Sequence, residues 1–211
     1  MTHQKKAPIR ILTVDDHPLL REGIAAILQP QPDMELVGEA ENGKQAVEAF
    51  GKLRPDITLM DVQMPVLNGV DAIAQIRDQF PAARIIVLTT YAGDVQATRA
   101  MRAGASGYLL KGALRRELLD TIRVVHAGRR YLPPDIAQQI ALRSGEDGLS
   151  EREISVLKLV ANGKANKEIA TTLAVSEDTV KAHLKNIFAK LDVGDRTQAV
   201  TLALKRGIID L

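Results

Sequence analysis

What most constrains this chain is a regular alternation of short apolar runs with amphipathic stretches between residues 9 and 125. Ile9–Val14 is an apolar run that ends in Asp15-Asp16. Pro18, suited to a first helical turn, opens a helix pattern through Leu28, with Leu20, Ile24, Ile27 and Leu28 on one face. The rhythm then predicts a strand over Glu35–Ala40, a helix over Gly43–Leu53 and a strand over Asp56–Asp61. A helix from Asn68-Gly69 to near Phe80 follows, then a strand over Arg84–Thr89, a helix over Asp94–Ala103, a strand over Ser106–Leu110 and a helix over Leu114–Ala127. Five β-α units with short connections predict a doubly wound, five-stranded parallel sheet covered on both faces. Right-handed crossovers leave few topologies, and ligands in such sheets bind at the C-terminal ends of the strands.

The rhythm breaks at residue 128. Gly128, Pro133-Pro134 and the stretch Ser144-Gly145-Glu146-Asp147-Gly148 read as a linker carrying a short helix over Asp135–Leu142. Beyond it the pattern is entirely helical. Ser150 and Glu153 have capping-box spacing for a helix over Glu151–Ala161, which Gly163 stops. A short helix covers Lys167–Leu173, Ser176 caps Glu177–Leu191, and Asp195 and Gln198 open a last helix to about Arg206. The organisation expected is a first domain over 1–127, a linker over 128–148 and a four-helix domain over 149–211.

Composition excludes several function classes. The absence of cysteine removes disulfides, thiol nucleophiles and zinc-cysteine sites. The absence of Trp, with 3% aromatic residues, argues against a base-stacking platform. Apolar runs are far shorter than a membrane span, and Met1–Lys6 is polar, so a cytoplasmic protein with no membrane partner is expected. The net charge of +2 is unevenly placed. Residues 1–125 hold 15 basic and 15 acidic side chains, residues 126–148 three of each, and residues 149–211 ten basic and eight acidic. The whole excess lies in the C-terminal third, a balance that permits nucleic-acid binding.

Asp15, Asp16 and Asp61 each fall at the end of a predicted strand, so a parallel sheet gathers them at one edge. Three carboxylates there repel one another unless a cation intervenes. Mg²⁺ suits them, because it uses few carboxylates, keeps waters and accepts phosphate oxygens. Thr89 ends the fourth strand and Lys111 the fifth, adding a hydroxyl donor and a point charge for a phosphoryl group. Together these groups can support transfer to Asp61 as an acyl phosphate. A haloacid-dehalogenase-type hydrolase requires a second aspartate two places after the nucleophile, where this chain has Gln63. No dinucleotide or P-loop glycine pattern follows a strand.

This set, with the stretches LMDVQMPVLNG and AGASGYLLK, resembles the receiver domain of bacterial two-component response regulators, a flavodoxin-like fold. The resemblance implies that Asp61 is the phosphoacceptor, that Asp15 and Asp16 hold Mg²⁺ with Asp61, that Thr89 and Lys111 contact the phosphoryl group, and that Tyr108 is an aromatic switch acting with Thr89. Gly112 departs from the family at a place where proline is common.

In the helical domain, Ala174-Val175-Ser176 is a tight connection of helix-turn-helix type. Val180, Leu184, Ile187, Phe188 and Leu191 form one apolar face of the following helix, and Lys181, Ala182 and Lys185 lie on another. The N-terminal half of such a helix reads base edges in the major groove. Two lysines one turn apart reach guanine acceptors or phosphates, and Ala182 can meet a thymine methyl. The sequence LSEREISVLKLVANGKANKEIATTLAVSEDTVKAHLKNIFAKLDVGDRTQAV resembles the LuxR-type helix-turn-helix domain, so the chain resembles the NarL/FixJ family over nearly its whole length. By that resemblance Lys181, Ala182 and Lys185 face bases, and Asn166, Lys167, Thr179 and His183 lie near phosphates. In the last helix, Val200 and Leu204 suit the core, while Ala199 and Leu202 point elsewhere; this surplus apolar surface suggests a partner, and the resemblance implies that the helix pairs two DNA-binding domains.

The expectation is a transcriptional regulator and not an enzyme: it takes a phosphoryl group from a sensor histidine kinase on Asp61, forms a homodimer and binds double-stranded promoter DNA. A phosphorylation-independent DNA-binding protein, a small-molecule phosphohydrolase and a protein-interaction adaptor are the competing readings.

Overall fold

The computed structural model describes residues 7–90, 94–143 and 149–209. The Ser144–Gly148 stretch and Met1–Lys6 lie outside the described residues. The order is β1 (Ile9–Val14), α1 (Pro18–Leu28), β2 (Met34–Ala40), α2 (Gly43–Leu53), β3 (Ile57–Asp61), α3 (Gly69–Gln79), β4 (Ile85–Thr89), α4 (Asp94–Arg102), β5 (Gly107–Leu110) and α5 (Leu114–His126). A single 3₁₀ turn, Lys111–Ala113, joins β5 to α5 and contains Gly112. Then come α6 (Pro134–Arg143), α7 (Glu151–Ala161), α8 (Asn166–Leu173), α9 (Glu177–Leu191) and α10 (Arg196–Arg206). The chain divides into two compact units; from residue 97 onward the boundary lies between Pro134 and Asp135.

All strand pairs are parallel, in the order β2-β1-β3-β4-β5. β3 and β4 are buried along their whole length. That is why they read as continuous apolar runs rather than alternating ones. Ile9, Ile11, Ile57, Leu59, Ile86 and Leu88 pack with Ile24 and Leu28 of α1 and Leu118, Ile122 and Val125 of α5 on one face. Strand order reverses between β1 and β3, and a ligand crevice opens at the C-terminal ends of strands flanking such a point. Asp15, Asp16 and Asp61 sit there.

The first unit extends past the expected end at residue 127. Tyr131 lays its backbone against the outer edge of β5: Tyr108 N–H donates to the Tyr131 carbonyl at 2.9 Å, and Tyr131 N–H donates to the Ser106 carbonyl at 3.1 Å. Its hydroxyl donates to Glu117 Oε2 on α5 at 2.8 Å. Gly128–Pro134 is therefore part of the first unit, because its backbone finds partners there. Residues 135 onward fall to the second.

In the second unit, Val156, Leu157 and Val160 of α7, Ile169 of α8, and Val180, Leu184, Ile187 and Leu191 of α9 form one core. The capping box at α7 is present: Ser150 Oγ accepts from Glu153 N–H at 3.3 Å, and Glu153 Oε2 accepts from Ser150 N–H at 2.7 Å. Glu153 is buried and also receives Lys190 Nζ at 2.9 Å, which ties α7 to α9. The turn between α8 and α9 uses Ala174 in the left-handed region at φ 53°, and Ser176 caps α9 by accepting from Thr179 N–H at 3.1 Å. The last helix faces the core differently from the sequence expectation. Ala199 and Ala203 are fully buried, while Val200, Leu202 and Leu204 are only partly so. Small side chains at this i, i+4 pair let α10 approach α7 and α9 closely. Ala199 is therefore a core residue and not part of an outward pairing surface.

Candidate functional site

β1 and β3 end side by side, with Val14 paired to Met60, so the residues that follow meet at one edge. Asp15 and Asp61 are buried there, Asp16 is partly open and His17 is exposed. Lys111, the first residue after β5, reaches in between them, its Nζ 2.8 Å from Asp15 Oδ2 and 2.9 Å from Asp61 Oδ2. On the other flank, His17 Nδ1 lies 3.2 Å from Asp15 Oδ1 and 2.8 Å from Asp16 Oδ1. Burial pushes the Asp61 carboxyl above the ordinary carboxylate range, and Lys111 only partly offsets that. Burial alone would lower the Lys111 ammonium, but Asp15 and Asp61 outweigh it and raise it. The ammonium thus stays charged where it faces the carboxylates.

The donor set fits a hard cation. One oxygen each of Asp15, Asp16 and Asp61, with a His17 ring nitrogen, lie within 4.8 Å of one another. Carboxylate oxygens at one open rim match the needs of Mg²⁺, which is held by few carboxylates and keeps several waters.

Thr89 is the last residue of β4 and is buried at the same edge. Its register partner is Leu110, and Tyr108 pairs with Val87. Strand alternation therefore puts Thr89 and Tyr108 on the same face of the sheet, one step apart along the strands. Tyr108 is fully buried.

Three supporting residues were not singled out from the sequence. Arg21 is buried on α1, where it donates to the Asp15 carbonyl at 2.7 Å and pairs with Glu39 at 3.0 Å and Glu41 at 3.2 Å. Its signal was available: with Ile24 and Leu28 it completes an i, i+3, i+7 stripe, so an arginine sits in an inward position. Gly69 starts α3 against the end of β3. A Cβ there would collide with the Asp61 carbonyl and crowd Val62 Cα, so the helix can close on the site only with glycine. Val66 sits in the loop after Asp61 at φ 70°, with Leu67 N–H donating to the Pro65 carbonyl at 2.8 Å. That is a γ-turn of the rare positive-φ kind, strained for a β-branched residue. Periodicity carries no trace of it.

On the second unit, Lys181, Ala182 and Lys185 of α9 are exposed, opposite the buried Val180, Leu184, Ile187 and Leu191. Lys181 is held within the helix, its Nζ 3.1 Å from Asp178 Oδ1 and 3.7 Å from Glu177 Oε1. Lys185 makes no ion pair among the described residues. Thr179 and His183 are half-buried beside this face. On α8, Asn166 is half-buried and Lys167 exposed. Among the described residues, no helix is long and apolar enough to cross a membrane.

Residues 11–123 match the response regulator receiver domain, and residues 147–203 match the luxR family of bacterial regulatory proteins. The chain is 40% identical over 210 residues to the transcriptional regulatory protein LiaR of Bacillus subtilis, across 96% of this chain and 100% of that protein. It is 37% identical over 206 residues to the response regulator protein VraR of Staphylococcus aureus, across 95% and 99% of the two chains. Among solved structures, the response regulator ChrA of a heme-sensing two-component system is similar at TM-score 0.57 and 35% identity, over 96% of this chain and 100% of that one. A structure of RcsB dimers bound to DNA is similar at TM-score 0.68 and 25% identity, over 94% and 98%. With a receiver domain and a LuxR-type DNA-binding domain on one chain, the protein belongs to the NarL/FixJ family of two-component response regulators, which act as transcription factors.

Proposed function

We propose that Asp61 accepts a phosphoryl group from a sensor histidine kinase and that this drives homodimer formation on promoter DNA. The observation that carries it is Lys111 Nζ, seated 2.8 Å from Asp15 and 2.9 Å from Asp61 at the switch point of the sheet. A carboxylate oxygen of Asp61 attacks phosphorus. The bond from phosphorus to the kinase imidazole nitrogen breaks, and that nitrogen leaves with the electron pair. Asp15, Asp16 and Asp61 would hold Mg²⁺, which offsets the repulsion between carboxylates and incoming phosphate. Lys111 pairs with the transferred group, and Thr89 donates its hydroxyl to it. Tyr108, on the same sheet face as Thr89, carries the change into β5.

On the second unit, Lys181, Ala182 and Lys185 read base edges, while Asn166, Lys167, Thr179 and His183 lie along phosphates. The exposed stripe of α9 supports this, as does the likeness to RcsB, whose dimers bind DNA. Leu202, partly buried on α10, remains the candidate pairing residue. The test is labelling with acetyl phosphate and Mg²⁺, with sedimentation velocity and DNA binding with and without beryllofluoride. Wild type labels and becomes more dimeric, and Asp61→Asn does neither. Equal labelling of both would place the acceptor elsewhere.

A further inference from the structure

Asp178 stands three, four and seven residues before Lys181, Ala182 and Lys185. That spacing puts it on the same stripe of α9 as all three candidate base-reading residues. It is the second residue of the helix, and its side chain is 90% exposed. The N-terminal end of a recognition helix is the part that reaches base edges. A carboxylate carried there lies among phosphates and purine acceptors, which repel it, unless it finds an exocyclic amine.

Resting on the reading of α9 as the DNA-reading helix, we propose that Asp178 and Lys181 act as one unit that reads a single G·C base pair, with Asp178 the specificity-determining residue. In the major groove cytosine offers only its N4 amine, whereas guanine offers only the O6 and N7 acceptors. Adenine places an acceptor beside its amine, so an acceptor-only carboxylate selects cytosine. Cytosine N4 and guanine O6 of one pair are hydrogen-bonded to each other, so they lie about 3 Å apart. The Asp178 Oδ1 to Lys181 Nζ distance is 3.1 Å. The ion pair thus presents an acceptor and a donor at the spacing of that base-pair edge. N4 keeps one proton free for Asp178, and O6 keeps one lone pair free for Lys181. Lys185, which makes no ion pair among the described residues, is left to supply a second base contact.

The test uses the full-length protein treated with beryllofluoride and a pool of duplexes with a randomised centre, sequenced after capture. Wild type shows a preference for one G·C pair per half-site, about tenfold or more. Asp178→Ala loses that preference and binds random duplex about threefold tighter, because one negative charge leaves the groove. Asp178→Asn moves the preference from cytosine to adenine, since an amide can bond both N6 and N7 of adenine. An unchanged base preference in both variants overturns the assignment of Asp178. The Lys185→Ala variant checks the helix itself. If it captures DNA as well as wild type, or if wild type selects no sequence, the reading of α9 falls and the pair with it.

Discussion

In the receiver, the functional charges are folded inside the protein, where Asp15, Asp61 and Lys111 have little contact with water. On the exposed stripe of α9, Asp178 and Lys181 stand in solvent, and Lys181 pairs with Asp178 and Glu177 of the same helix. Distance alone does not separate the two, since both have ion pairs near 3 Å. Surroundings do. Unit charges 4 Å apart attract by about 4 kcal/mol at an effective dielectric near 20 and by about 1 in bulk water. The receiver cluster therefore has large forces held in balance, which a phosphoryl group can upset. The proposed reading face has weak forces, which DNA would replace one by one.

The sharpest break of that contrast is chemical. Asp61→Asn should abolish labelling by acetyl phosphate, whereas no single change on α9 should alter it. Autoradiography of wild type, Asp61→Asn and Lys185→Ala checks this. Loss of labelling in the α9 variant would dissolve the separation.

Next comes Lys111. Without it Asp15 and Asp61 are left facing each other, and breaking a buried pair costs about 3 kcal/mol. Lys111→Ala should melt earlier by that margin in Mg²⁺-free buffer, with part of the loss restored by Mg²⁺. Lys164→Ala, which removes an exposed i, i+4 pair with Glu168, should leave the melt unchanged. Equal shifts for the two lysines would mean that burial is not what sets the scale.

Acid should affect the two units in opposite senses. Asp61 has its carboxyl raised above 3.8 by burial, so its stabilising contribution is present below 3.8 and is lost as pH rises through the folded pKa. Despite its own burial, Glu153 is lowered below 4.5 by Lys190 and Ser150, so its contribution is present above 4.5 and is lost as pH falls through the folded pKa. At pH 7 without Mg²⁺, Asp61→Asn should therefore melt above wild type and Glu153→Gln below it. Both gaps should narrow toward about pH 4. Thermal melts across that range decide it, and parallel trends for the two variants would refute the assignment.

The smallest effect sharpens the comparison inside the receiver. Val66→Asn introduces a residue that tolerates positive φ and relieves about 1 kcal/mol of strain. A higher melt with labelling intact is expected. An unchanged melt would mean that the loop relaxes by other means.

How legible each part was follows from the same division. Strand ends are marked by where an apolar run stops, so the sequence alone puts Asp15, Asp16, Asp61, Thr89 and Lys111 at one edge. The stripe of α9 was equally plain from helical spacing. Arg21 and Gly69 escaped because their roles are tertiary: one fills an inward slot with a charge, the other leaves room for a carbonyl. Ala199 was misplaced because hydropathy favours large side chains as core. At a close helix crossing the smallest residue goes inside, and Val200 and Leu202 stay at the margin. Asp178 carries no signal of its own in the sequence, since a helix-dipole role and a groove-facing role share the same first-turn position.

The backbone pairing of Tyr131 also decides how this sheet can meet other proteins. A parallel sheet has two rims, each a row of amides and carbonyls able to recruit a foreign strand. At one rim Tyr131 takes up the Tyr108 amide and the Ser106 carbonyl. At the other, β2 carries exposed Glu35 and Glu39, and its register with β1 slips between Ile11 and Leu12. Charge and irregularity are both poor templates for a flat added strand. With each rim guarded, association is channelled to helices and loops, and the sheet can stay compact at high protein concentration without seeding fibrils.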